Sequence, residues 1–137
     1  MKKLYTTHVA IKGGRAGNAR SDDAQLDVAL AFPKALGGNG NGTNPEQLFA
    51  AGFGACFTSS LGAAAKSLGF SPQSITVDAT VTLTVDDTGA YGIEALLQPA
   101  LEGIAPADAQ RVVEEARRIC AYSNALRGAA TVDIQPR

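Results

Sequence analysis

The 137-residue sequence has little of what most enzyme chemistry uses: one histidine, one methionine, no tryptophan and two cysteines, Cys56 and Cys120. A metal site needs several clustered ligands, and the sequence contains no such cluster of histidine, cysteine and carboxylate residues. The single histidine, His8, has no orienting partner in view, so we interpret it as structural rather than as the base of a cysteine hydrolase. These absences leave thiol chemistry as the first hypothesis to test.

The charge balance excludes other classes of function. The 12 basic and 13 acidic side chains give a net charge of −1 and form no basic stripe, so we expect no nucleic-acid partner. The N-terminal segment MKKLYTTHVAIKGG lacks the apolar core of a secretory signal, and no uninterrupted run of 18 apolar residues predicts a membrane span. We therefore predict a cytoplasmic protein, in which a cysteine pair is more often catalytic or redox-sensing than a permanent cross-link.

The pattern of apolar residues predicts one domain over residues 1–137, of the α+β class with an antiparallel sheet. Thr43 and Glu46 have the spacing of a capping box, and Pro45 suits the first turn of a helix. The predicted elements are strands at 4–11 and 25–31, a helix from Thr43 to Leu68, a hairpin of 75–85 with 91–97, a helix opened by Pro106 that ends near Asn124 and Gly128, and a final strand through Ala130, Val132 and Ile134.

The helix that contains Cys56 is apolar on nearly every face and rich in alanine and glycine. A helix of this kind is buried rather than amphipathic. A small domain rarely covers so long a helix alone, so we infer that it lies in a dimer interface.

A reactive thiol must be held as a thiolate, since a free cysteine has a pKa of about 8.5. Lys66 lies ten positions beyond Cys56, roughly 15 Å along a helix, and is too far to help. Arg15, in a glycine-lined turn, is the best candidate cation, although an ordinary exposed loop arginine is the alternative. Glu46 has two interpretations as well: an acid that favours the helix N-terminus, or the partner that orients an arginine.

Glu46 and Cys56 are also separated by roughly 15 Å along an unbroken helix. They can share a site only if the helix breaks at Gly52 or Gly54, or if they come from different subunits. Cys120 closes the apolar stripe of the second helix, where the helix dipole opposes thiolate formation, so a resolving role suits it better than an attacking one.

Three segments carry a family resemblance: GGRAG around Arg15, TNPEQLFAAGFGACF from Thr43 to Phe57, and ICAYSNALRG from Ile119 to Gly128. In order and spacing they strongly resemble the organic hydroperoxide resistance (Ohr) branch of the OsmC-like superfamily. The resemblance implies an OsmC-like fold, with antiparallel sheets packed around a long buried central helix in an intertwined homodimer.

The resemblance also implies a thiol peroxidase that reduces organic and fatty-acid hydroperoxides to alcohols. Cys56 would attack the peroxide, Arg15 would keep Cys56 ionised, Glu46 would hold Arg15, and Cys120 would form a disulfide with oxidised Cys56. The implied reductant is a lipoylated protein that carries dihydrolipoamide, with no bound cofactor or metal. The apolar surroundings of three phenylalanines would favour alkyl substrates over hydrogen peroxide: Phe49, Phe53 and Phe57.

The chain departs from the family pattern at two places. Ala121 stands where a proline usually follows the second cysteine, which leaves Cys120 less restricted. Phe53-Gly54 replaces a common tyrosine–serine pair, and Gly54 costs the helix up to about 1 kcal/mol relative to alanine.

Two other functions are compatible with the motifs: a general OsmC-type peroxidase with broader substrates, and a non-catalytic OsmC-fold module for acyl binding or redox sensing. The motifs leave open which hydroperoxide is physiological and which subunit supplies Arg15.

Overall fold

The computed structural model describes residues 1–136. The chain divides into two compact units, Met1–Phe49 and Ala50–Arg137. The first unit contains a three-stranded antiparallel sheet in the order β1-β2-β3. Its strands are β1 (Val9–Lys12), β2 (Asn18–Ser21) and β3 (Asp27–Ala29). The prediction of a single domain over residues 1–137 stays a prediction.

A tight turn joins β1 to β2 and presents Arg15 from a short 3₁₀ segment, Gly14–Ala16. The turn ends at Gly17, whose backbone lies close to Lys12. A Cβ at position 17 would lie 1.7 Å from the carbonyl oxygen of Lys12. Only glycine fits there. The glycine-rich segment around Arg15 therefore has a steric reason for its composition.

The strand predictions for the first unit are correct in place but wrong in length. Paired strand begins at Val9 rather than at residue 4, and the second predicted strand is paired only over Asp27–Ala29. β2 was missed altogether, because Asn18–Ser21 has only one apolar side chain, Ala19, facing inward. Such a strand has no alternation strong enough to distinguish it from a turn.

The long helix α1 (Pro45–Leu68) begins in the first unit and continues into the second without a break. Its capping residue is Asn44, whose Oδ1 accepts the backbone N–H of Gln47 at 2.9 Å. The predicted capping role of Thr43 is wrong: its hydroxyl donates to the side chain of Gln47 instead. Asn44 is buried and positioned one residue later, so it reaches the free N–H groups of the first turn better.

One face of α1 is buried within its own chain, at positions that recur with helical spacing: Phe53, Gly54, Phe57, Leu61, Ala64 and Ala65. By length and composition alone α1 is also apolar enough to cross a membrane. The sequence did not predict this property of α1, because glycine, serine and threonine interrupt its apolar residues. A core helix of a globular protein meets the same criterion, so the finding is weak evidence for a membrane span.

The second unit contains an antiparallel hairpin of β4 (Ser74–Val85) with β5 (Tyr91–Glu102), in register from Ser74–Glu102 to Val85–Tyr91. The hairpin prediction is confirmed, and β5 is five residues longer than predicted. Asp86 forms the turn, since its carboxylate accepts the backbone N–H groups of Thr88 and Ala90. Helix α1 lies against this hairpin, where a Cβ on Gly54 would be 3.5 Å from the Cβ of Ala79.

The helical region after the hairpin is divided at Cys120. Helix α2 (Pro106–Ile119) ends there, and α3 (Ala121–Asn124) begins with the next residue and continues as a π-helical turn, Ala125–Ala129. Cys120 itself is extended, with φ −67° and ψ 124°. Val112, Ala116 and Cys120 have no exposed surface, so the predicted apolar stripe is confirmed.

The predicted final strand is wrong: residues 130–136 have no strand structure. Val132 and Ile134 are 76% and 89% exposed, so their alternation faces solvent rather than a core. A strand needs a neighbouring strand edge, and the alternating pattern alone does not provide one.

Candidate active site

Arg15 and Glu46 form a bidentate ion pair in the first unit. The two guanidinium nitrogens donate to the two carboxylate oxygens at 2.8 and 2.5 Å, across 31 positions of sequence. Their side chains are 28% and 15% exposed, so the pair is partly withdrawn from solvent. Of the two interpretations of Glu46, the one in which it orients an arginine describes the observed contact.

The ion pair is charged at neutral pH. The hydrogen bonds from Arg15 hold the pKa of Glu46 below its usual range and outweigh the opposing effect of burial. Glu46 is also the acidic residue in the first turn of α1, where a negative charge is favourable. The arrangement therefore fixes a guanidinium at the start of α1.

Cys56 and Cys120 lie together in the second unit. Their sulfur atoms are 3.5 Å apart although 64 positions separate them in sequence. Both are free thiols, Cys56 half-buried and Cys120 fully buried. A disulfide has a sulfur–sulfur distance of about 2.05 Å, so this is a reduced pair in van der Waals and hydrogen-bonding contact.

The position of Cys120 in the fold corrects one expectation. Its location at the end of α2 predicted that the helix dipole would oppose ionisation, yet Cys120 is also the residue before α3. Burial raises its pKa, but hydrogen bonds from the backbone N–H and hydroxyl of Ser123, from Cys56 and from the backbone N–H of Tyr122 outweigh this, and the pKa of Cys120 is lowered. The bend in the chain presents the sulfur to the donors of the next helix.

Tyr122 packs the bend against α1 and was not among the predicted site residues. Its ring stacks on Phe53 with centroids 5.8 Å apart and planes 16° apart, and Phe53 in turn meets Phe57 edge-on. The hydroxyl end of Tyr122 lies so close to Gly52 that a Cβ there would be 2.9 Å from the phenolic oxygen. The sequence signal for Tyr122 was its place in the segment ICAYSNALRG, two residues after Cys120.

The second unit contains a cavity of about 450 Å³ whose wall includes sequence neighbours of both cysteines. Phe53 and Phe57, which flank Cys56 in sequence, form part of its wall, and Ser123, which hydrogen-bonds Cys120, forms another part. The remaining lining residues are mainly apolar, with two arginines: Ala95, Leu97, Pro99, Val113, Arg117, Leu126 and Arg127.

The remaining candidates have simpler roles. His8 forms an exposed contact with Asp22 at 2.8 Å, in agreement with a structural role. Within residues 1–136 no group of three or more histidine, cysteine or carboxylate side chains is placed to bind a metal. Helix α1 does not break at Gly52 or Gly54, so the first of the two ways in which Glu46 and Cys56 could share a site is wrong.

The fold and the paired thiols define an α+β protein with a two-cysteine site. Residues 38–135 match the family described as OsmC-like protein. The chain is 43% identical over 135 residues to an organic hydroperoxide resistance protein of Xanthomonas axonopodis pv. citri, an alignment that covers 97% of this chain and 94% of the relative.

Solved structures agree with the sequence match. An organic hydroperoxide resistance protein from Elizabethkingia anophelis superposes with a TM-score of 0.88 at 41% identity, covering 93% of this chain and 92% of that one. OhrB of Bacillus subtilis gives a TM-score of 0.83 at 38% identity, covering 92% and 93%. The chain belongs to the OsmC family and, within it, to the organic hydroperoxide resistance branch, as the three sequence segments predicted.

Proposed function

We propose that this protein is a homodimeric thiol peroxidase that reduces organic hydroperoxides to alcohols. Membership in the Ohr branch supports the broader role, resistance to organic hydroperoxides. The observation that carries the finer proposal is the 3.5 Å contact between the sulfurs of Cys56 and Cys120. Two free thiols held this close form a disulfide after a small movement once one of them is oxidised.

The reaction has two steps. The half-exposed Cys56, as thiolate, attacks the distal oxygen of the hydroperoxide; the O–O bond breaks, the alkoxide takes a proton and leaves as the alcohol, and Cys56 becomes a sulfenic acid. The sulfur of Cys120 then attacks the sulfur of Cys56, water leaves, and the disulfide forms. The hydroperoxide gains two electrons and the two thiols lose them. A dithiol of the dihydrolipoamide type, carried by a lipoylated protein, returns both electrons, and no bound cofactor takes part.

In this proposal, the Arg15–Glu46 pair serves the Cys56 of a second copy of the chain. The unbroken helix α1 supports this assignment, since Glu46 and Cys56 of one chain lie roughly 15 Å apart along it. A homodimer would also cover apolar side chains that a single chain leaves exposed, including these: Leu4, Tyr5, Val85, Tyr91, Ile93, Leu96, Val132 and Ile134. We place this dimer in the cytoplasm, where a dithiol reductant is available.

The cavity lined by Phe53, Phe57 and Ser123 supports the proposed substrate class. Its phenylalanine and aliphatic walls favour the alkyl or aryl group of an organic hydroperoxide, whereas hydrogen peroxide has no apolar group to place there. The enzyme should therefore prefer cumene hydroperoxide to hydrogen peroxide.

A stoichiometric dose of cumene hydroperoxide, followed by mass spectrometry of the intact reduced chain, tests the proposal. We expect a product two hydrogens lighter in the wild type, one oxygen heavier in Cys120→Ser, and unchanged in Cys56→Ser. An equal dose of hydrogen peroxide should convert less of the chain in the same time. An unchanged mass in the wild type, or faster conversion by hydrogen peroxide, would contradict the proposal.

A further inference from the structure

The residues next to Cys120 in sequence do not by themselves keep its backbone extended. Its backbone is extended, with φ −67° and ψ 124°, between two helical segments. A proline after Cys120 would restrict Cys120 to an extended conformation. The residue at that position is Ala121, and alanine would also allow the helix to continue through Cys120. Some other contact must therefore keep α2 and α3 from merging and turning the sulfur away.

Hydrogen bonds at the bend fix its shape but not its place against α1. The side chain of Asn124 donates to the carbonyl oxygen of Arg118 at 3.2 Å, and the backbone N–H of Asn124 donates to the carbonyl oxygen of Cys120 at 3.0 Å. Both bonds stay within the α2–α3 region. Besides the contact between the two sulfurs, Tyr122 reaches across to α1, where its ring stacks on Phe53 one turn before Cys56.

Gly52 sets how closely Tyr122 can approach. A Cβ at position 52 would meet the phenolic oxygen at 2.9 Å, closer than packed atoms tolerate, but the next ring atom only at 3.4 Å, which is ordinary contact. The missing side chain of Gly52 and the hydroxyl group of Tyr122 are therefore complementary. A substitution that adds one methyl group pushes the tyrosine, and with it the bend that holds Cys120.

We propose that Tyr122, seated on Gly52 and Phe53, is a positioning residue that holds Cys120 against Cys56 for disulfide formation. This inference rests on the proposed disulfide cycle and adds the residue that makes its second step fast. The backbone N–H of Tyr122 donates to the sulfur of Cys120, so we assign Tyr122 to the condensation of the Cys56 sulfenic acid with Cys120 rather than to the attack on the hydroperoxide.

The test separates the two steps in four variants: Gly52→Ala, Tyr122→Phe, the double variant, and Gly62→Ala. Gly62 lies in the same helix and a Cβ there meets nothing within 4 Å, so this control adds the same methyl group without the contact. Dimedone present during oxidation traps the sulfenic acid that escapes condensation. Equilibration with oxidised dithiothreitol gives the effective concentration of the two thiols without any peroxide.

Gly52→Ala should lower the effective concentration on the order of tenfold, the usual scale of overpacking one methyl group, and should raise the dimedone-trapped fraction. Gly62→Ala should match the wild type in both. The double variant should return to the values of Tyr122→Phe, since removal of the hydroxyl relieves the clash. If Gly52→Ala proves too unstable to measure, Tyr122→Leu removes the stacked ring without adding atoms and should show the same fall.

Two outcomes would overturn the positioning role: wild-type values in Gly52→Ala, or a loss in Gly52→Ala that the double variant does not recover. Either result leaves the peroxidase proposal standing if hydroperoxide still oxidises Cys56. Conversely, the dithiothreitol equilibrium tests the positioning of the thiols even if Cys56 proves unreactive toward hydroperoxides.

Discussion

The two residue pairs of the candidate site are held by different forces. Arg15 and Glu46 meet as opposite charges through two parallel hydrogen bonds, so the pair itself defines its geometry. Cys56 and Cys120 meet as two thiols, which are weak donors and acceptors and attract each other little. The thiol contact therefore depends on the surrounding packing, and substitutions near the two pairs should have different signatures.

Arg15→Ala should have the largest effect among substitutions away from the cysteines. Removal of a fixed positive charge that stabilises a reacting anion typically costs roughly 100-fold or more in rate. The rate of Cys56 oxidation by cumene hydroperoxide, followed in single-turnover experiments, should fall by this amount, while the free energy of unfolding falls by only about 1 kcal/mol, because the substitution breaks the ion pair with Glu46. Arg20→Ala is the matched control, because Arg20 carries the same charge in an exposed, long contact with Asp27.

Mixed dimers would show whether the charge acts across subunits. Neither Arg15→Ala nor Cys56→Ser homodimers should be active, but a heterodimer of the two has one complete site if Arg15 serves the other chain. Recovery of about half the wild-type activity per heterodimer is expected. If Arg15→Ala alone kept full activity, Arg15 would have no role in the reaction and would be an ordinary loop residue.

Glu46→Gln should have an intermediate effect, a loss in the free energy of unfolding that depends on pH. Because the pKa of Glu46 is lowered in the folded chain, its stabilisation is complete above the ordinary glutamate pKa of about 4.3 and is lost as the pH falls through the lowered value. We expect Glu46→Gln to be about 1 kcal/mol less stable than the wild type at pH 7, a difference that disappears in strong acid.

Urea unfolding at neutral and acid pH measures this difference. Glu115→Gln is a suitable control, since Glu115 pairs with Arg118 along α2 near solvent, where an ion pair contributes little to stability. A pH-independent loss in Glu46→Gln would mean that its carboxylate charge does not contribute to stability.

Ser123→Ala should have the smallest effect, confined to the pH dependence of disulfide formation. The hydroxyl of Ser123 helps to lower the pKa of Cys120, so its removal raises that pKa while the backbone N–H of the same residue still donates. In the proposed cycle the thiolate of Cys120 is the attacking species, so the pH profile of condensation should move to higher pH. Ser59→Ala, which removes a hydroxyl bonded only to a helix carbonyl, should leave the profile in place.

The sequence predicted those parts of the structure that long patterns determine. The apolar run of α1 and the alternation of β4 and β5 extend over many residues, so each element was found with its approximate bounds. Residues 4–8 and 130–134 continue an alternating pattern without forming a strand, because pairing needs a strand edge, which alternation does not reveal. Asn44 was missed as the cap because Thr43 has the same chemistry one position earlier.

The four residues named from the sequence meet in two pairs, while their catalytic roles stay predictions. Arg15, Glu46, Cys56 and Cys120 were named from segments with chemical character, and the structure brings them together in two pairs. The bend at Cys120 was not predictable, because Ile119 and Ala121 are both compatible with a continuous helix. Tyr122 lies against Gly52 and Phe53, which are distant from it in sequence, and no local pattern predicts such a contact.

The unequal exposure of the two sulfurs gives the regeneration of the proposed enzyme a direction. Cys120 has no accessible surface, whereas Cys56 is reachable, so an incoming dithiol can make its mixed disulfide only at Cys56. Cys120 is then the leaving group, and its lowered pKa suits it to depart as an anion. The bend that shelters this sulfur thus also determines which half of the bond an outside reductant can open.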